Sequence, residues 1–101
     1  MTIETKAAKQ AILDKLESQI KTAEAKLDTL KARAEAAKAD AEIKAIAELA
    51  TRKVQLHQKL HELKNSAEAS WEHAKKQFQS LVTEFERDVE NIEAKAHAHS
   101  H

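Results

Sequence analysis

The sequence predicts an all-α fold: a long heptad-patterned helix followed by a shorter antiparallel amphipathic helix, paired as a coiled-coil or helical-bundle dimer. Three observations predict it. The 101 residues include no Gly and no Pro, so the residues that punctuate turns and bulges are missing. Charged residues make up 34% of the chain and apolar ones 42%, with Ala, Glu, Lys and Leu prominent, which is the composition of long helices and coiled coils. Apolar residues also recur at alternating steps of three and four, the spacing of a heptad seam.

The first helix is predicted over residues 3–64. Its seam reads Leu13, Leu16, Ile20, Ala23, Leu27, Leu30, Ala34, Ala37 and Ala41. The register then blurs, because Ile43, Ile46, Leu49 and Val54 do not share one narrow line; a wider stripe implies more than one neighbour. Leu56, Leu60 and Leu63 restore the spacing. Acid-before-base pairs at i,i+4, Glu17–Lys21, Asp40–Lys44 and Glu48–Arg52, each add about 0.2–0.5 kcal/mol of helix support.

With no Gly to take the left-handed conformation at a helix end, Asn is the next choice. Asn65 and Ser66, in "LKNSAEAS", therefore mark the helix break, and Asn65 with Glu68 has the spacing of a capping box. The competing break is "AAKADAE", residues 36–42, where Asp40 stands among strong helix formers. An unbroken first helix would be ~90 Å long. A helix over 67–95 covers less than half of that length, so the remaining seam calls for a second chain. An antiparallel homodimer supplies it, with nine alanines between Ala32 and Ala50 near the crossing. A turn in residues 36–42 would instead give a monomeric three-helix bundle. Residues 1–95 form a single helical domain in this reading, and 96–101 a flexible His-containing tail.

The second helix carries every aromatic residue. Trp71, Phe78 and Phe85 lie seven apart, and Ala74, Leu81, Val89 and Ile92 complete one face. That stripe is core against the Ala- and Leu-lined seam, each ring contributing roughly 1.5–3 kcal/mol. The sharper alternative is a face that releases onto a partner protein or a membrane surface. Glu84, Glu86, Asp88, Glu90 and Glu93 make its flanks acidic, whereas membrane-surface helices carry basic ones.

Charge and residue usage narrow the function. The net charge is zero, but residues 1–64 carry 13 basic and 10 acidic side chains, against 4 and 7 in residues 65–101. Opposite signs favour packing between the two segments. Interleaved charges are not the concentrated basic face of a nucleic-acid binder. Without Gly there is no phosphate-cradling loop, and without Cys no thiolate nucleophile or thiolate metal site. No Ser/His/Asp constellation suggests itself, so the sequence reads as non-enzymatic. "MTIETKAAKQAILDK" lacks the apolar core of a secretory signal, which sets a cytoplasmic expectation.

The six histidines offer the one alternative chemistry. His97, His99 and His101 alternate in the tail, and His57 and His61 stand at i,i+4, a spacing that places both rings on one helical face. Such groups bind Ni²⁺, Cu²⁺ or Zn²⁺ weakly, since a structural zinc site takes four ligands. This gives a metal-binding or metal-sensing module as the second functional reading.

The Ala/Lys/Glu-rich first segment followed by "LKNSAEASWEHAKKQFQSLVTEFERDV" resembles a family of small bacterial coiled-coil proteins linked to stress responses. Ala69, Ser70 and Trp71 fall in that family's order of an Ala-Ser segment, a Trp and a short amphipathic helix. Where the family often has Gly near the helix break, this chain has Asn65 and Ser66. The resemblance implies a cytoplasmic, non-enzymatic protein and carries over no functional residues.

Overall fold

The structure, a computed structural model, describes the backbone of residues 5–98 and the side chains of residues 5–95. It is all-helical, with α1 at Lys6–Ala37, α2 at Asp40–Lys64 and α3 at Glu68–Ala98. The expected helix over 3–64 is therefore two helices, and the competing turn inside 36–42 is the one the chain makes.

Thr5 starts α1, its Oγ1 accepting from the Ala8 N–H at 3.1 Å, which satisfies one of the donors a helix start leaves open. From there the predicted seam is buried from Leu13 through Ala34. Ala37 and Ala41, its predicted continuation, are exposed, because the chain reverses between them. Lys38 takes φ 55° and ψ 38°, the left-handed region that Gly usually fills. The Lys38 N–H donates to the Glu35 carbonyl at 3.2 Å and the Ala39 N–H to Ala34 at 2.9 Å. Those two bonds are the closing pair of a Schellman motif. Asp40 and Glu42 then lie in the first turn of α2, where acidic side chains complement the helix dipole.

The reason for the break lies in the blurred register. Ile46, Leu49, Leu56, Leu60 and Leu63 are buried on α2 and form their own seam, out of phase with Ala37 and Ala41. A straight helix would leave Ile46 and Leu49 without cover. Burying them contributes roughly 1.5–3 kcal/mol each, more than the ~1–2 kcal/mol of one left-handed residue.

Asn65 and Ser66 do end the second helix, by a different mechanism from the one expected. Asn65 has φ −101°, outside the left-handed region. Its backbone N–H reaches the His61 and Glu62 carbonyls at 3.2 Å, and its Nδ2 donates to the His61 carbonyl at 3.0 Å. The Ser66 Oγ donates to the Leu63 carbonyl at 2.8 Å. Both side chains thus close α2; their bonds do not open α3.

The ion pairs fix the topology. Glu24 meets His57 and Glu17 meets Lys64, so α1 and α2 are antiparallel. Arg52 meets Asp88, while Leu63 and Phe78 share a groove, so α2 and α3 are antiparallel as well. Lys9 pairs with Glu68 at 3.5 Å, placing α1 and α3 side by side in the same direction. The bundle measures 53 × 20 × 16 Å between Cα atoms. One cluster runs its length: Leu13, Ile20 and Leu27 from α1, Ile46 and Leu60 from α2, Phe78 and Phe85 from α3. The uncovered half-seam that called for a second chain does not exist in this fold, since α2 and α3 cover α1 from within.

Candidate functional site

α3 concentrates the residues on which function was read, and its register decides which of them are core. Trp71, Phe78, Phe85, Val89 and Ile92 are buried as expected. Leu81 is not: it is 38% exposed, and Val82 is buried to 1% in its place. Stepping back from Ile92 by three and four gives Val89, Phe85, Val82, Phe78, Lys75 and Trp71 without a break. The stripe drawn through Ala74 and Leu81 needed an irregular step between Phe85 and Val89. The strict alternation does not, and it could be read from the sequence by accepting a lysine in the seam.

The same rule exposes two more seam lysines. Lys9 stands four residues before Leu13 on α1, and Lys53 lies between Leu49 and Leu56 on α2. Lys9, Lys53 and Lys75 are all half-buried, with aliphatic stems that lie along apolar surface while the ammonium reaches outward. Val54, placed in the wide stripe of the first helix, is 55% exposed, because Lys53 holds the seam position beside it.

At the end of the bundle shared by the starts of α1 and α3, charge gathers around the single tryptophan. The Lys9 Nζ lies 5.3 Å from the centre of the Trp71 ring, within cation–π range, and 3.5 Å from Glu68 Oε1. Lys75 Nζ is 3.1 Å from Glu72 Oε1. Further along, Leu63, Phe78 and Leu81 line a solvent-open groove between α2 and α3, flanked by Lys59, Glu62 and Gln77. A second stretch follows past Leu81 to Leu56 and Phe85, beside Arg52 and Glu84.

The histidines are dispersed into separate contacts. His57 Nε2 is 2.6 Å from Glu24 Oε1 across the α1–α2 face, and His61 Nε2 is 3.3 Å from Asn65 Nδ2. The rings share a helix flank but have different partners. His97 falls within the α3 backbone, its side chain outside the described ones, and His99 and His101 lie outside the described residues. Among the described residues, no group of three or more His, Cys, Asp or Glu side chains is placed to hold a metal ion.

Among the described residues no polar or charged residue is fully buried, and no buried side-chain nitrogen or oxygen lacks a hydrogen-bond partner. Among the described residues, no helix is long and apolar enough to cross a membrane. No family model, no curated protein and no solved structure matches the chain.

Proposed function

We propose that this protein is a non-enzymatic helical interaction protein that captures apolar segments of other proteins by releasing the seam face of α3. The observation that carries this reading is that all three aromatic side chains lie on one seam of one helix and are buried there. A single short turn, Asn65 to Ala67, joins that helix to the other two. Released, α3 would present Trp71, Phe78, Val82, Phe85, Val89 and Ile92 as an amphipathic face of the kind that docks into grooves or onto extended apolar chains. The acidic flanks, including Glu84, Glu86 and Glu90, keep the open form soluble and direct it toward proteins and away from anionic lipid. A protective role under stress follows from the same mechanism, because heat or denaturing conditions free α3 and unfold clients together.

Light scattering by reduced, aggregating lysozyme tests the reading. The protein is expected to lower the scattering at temperatures where α3 is released. A version with the far end of α3 tied to α1, by Arg33→Cys and Glu93→Cys, which line one surface depression, joined through a short bifunctional crosslinker, is expected to lose that effect. The native chain has no Cys, so the crosslink is unique. Equal protection by tied and untied protein, or none by either, would sink the idea.

A further inference from the structure

We propose that the Trp71 end of the bundle is a salt-sensitive latch, the point at which α3 begins to leave α1 and α2. The inference deepens the proposed release of α3 by naming where it starts, and the test below involves no client protein.

The seam of α3 is uneven. From Phe78 to Ile92 every seam position is apolar, and Phe78, Val82, Phe85 and Val89 are exposed by only 1–2%. One step before Phe78 the seam holds Lys75, and only beyond it comes Trp71, 4% exposed. On α1 the apolar seam likewise stops at Leu13, and the next position toward this end is Lys9. The indole of Trp71 is thus separated from Phe78 by one lysine and covered by another. These two side chains are largely withdrawn from water, 20% exposed for Lys9 and 14% for Lys75.

Their packed stems hold both ammonium groups at the edge of the core, where two acids and an aromatic ring are their partners. Glu68 supplies a carboxylate to Lys9 across the α1–α3 contact and Glu72 one to Lys75 within α3. The Trp71 ring supplies its negatively charged face to Lys9, so the contacts that hold this end of α3 to α1 are those of Lys9. The Glu68 and Glu72 side chains are 67% and 56% exposed, so dissolved salt reaches and screens these contacts. Apolar packing from Phe78 to Ile92 has no such dependence. The segment from Glu68 to Lys75 therefore opens at lower cost than the rest of α3, and more readily as salt rises. Opening uncovers Trp71 next to the Leu63–Phe78–Leu81 groove, which joins them into one apolar surface.

The single tryptophan makes the latch directly visible. Urea titrations of the full chain are followed by Trp71 emission and by far-UV circular dichroism in the same samples, at low and at 0.5 M added NaCl. The emission is expected to shift at a urea midpoint lower by about 0.5 M or more than the loss of helix, a gap resolvable by linear extrapolation, and to separate further at high salt. Lys75→Leu, which makes the seam continuous, is expected to bring the two curves together. Lys9→Met, which removes the cation over the ring, is expected to abolish the salt dependence. Coincident curves in the native protein, the signature of a single all-or-none transition, overturn the latch. A gap that Lys75→Leu leaves unchanged overturns it too, since the opening would then lie elsewhere. Separate curves with no protection of lysozyme would remove the capture reading and keep the latch; coincident curves with protection would do the reverse.

Discussion

Lys38 and the pair Leu81/Val82 show how single residues settle this structure. At Lys38 the backbone stands at φ 55° with a Cβ that a left-handed residue carries at a cost. Lys38→Gly is expected to stabilise the bundle by about 0.5–1 kcal/mol, the left-handed penalty less the extra freedom of Gly in the unfolded chain. A rise in the urea midpoint at constant slope would confirm it. Leu81 and Val82 are neighbours with opposite fates. Val82→Ala should cost about 1.5–3 kcal/mol, because it removes two buried methyl groups and leaves a cavity. Leu81→Ala, although it deletes more carbon, should cost under about 1 kcal/mol, as expected of a surface position. Equal losses at the two sites would return the register to the one first read from the sequence. Salt bridges matter less at this scale: the pairing of Arg52 with Asp88 joins exposed side chains and contributes roughly 0–1 kcal/mol.

At the scale of elements, the seam of α1 was legible in position and phase, that of α2 only from Leu56 to Leu63, and that of α3 at its aromatic positions. The alternation of threes and fours along α1 matches its buried face from Leu13 to Ala34. On α3 the aromatic positions were right, and the position between Phe78 and Phe85 was wrong, because a lysine was not admitted to the seam. Lys75 and Lys53 occupy such positions through their aliphatic stems, and composition gives no hint of which lysine will do so. Phe78→Ala and Phe85→Ala are each expected to cost about 3–5 kcal/mol, enough to unfold a small bundle of marginal stability. Thermal unfolding by circular dichroism would show it. The break at Lys38 belongs to this scale as well. Residues 30–50 contain only good or tolerable helix formers, so a peptide of that span is expected to show helical Cα chemical shifts running through Lys38 in a helix-promoting solvent. A persistent left-handed residue in the peptide would mean that the break is local.

For the whole molecule, the turn at Lys38 and Ala39 exchanges a long rod for a short bundle. Small-angle X-ray scattering is expected to give the mass of one chain and a longest dimension near the 53 Å Cα extent, in place of the ~90 Å of an unbroken helix. A particle of two chains that stays well short of ~90 Å would show that the bundle pairs through a face other than its seams, and two chains near ~90 Å would return the unbroken first helix. The charge asymmetry read from the sequence takes physical form at this scale. The positive segment meets the negative one through Lys9–Glu68 and Arg52–Asp88, while Glu17 finds Lys64 on α2 and not its i,i+4 neighbour Lys21. The helix order also joins neighbours through two short turns, the low-contact-order arrangement that folds fastest.

The sequence by itself determined the helical class, the α1 seam, the helix end at Asn65 and Ser66, and the burial of Trp71, Phe78, Phe85, Val89 and Ile92. These follow from periodicity and composition, which act locally and can be counted along a chain. Only the tertiary structure decided where the long heptad run would fold back. Of the two registers that counting allows on α3, it took the strict one, with Lys75 in the seam, Val82 buried and Leu81 exposed. It also dispersed His57 and His61 into separate contacts with Glu24 and Asn65. The physical reason is the same in each case. A left-handed Lys38, a buried lysine stem or an exposed Leu81 is unfavourable on its own, and each is selected only by what it lets three helices bury together.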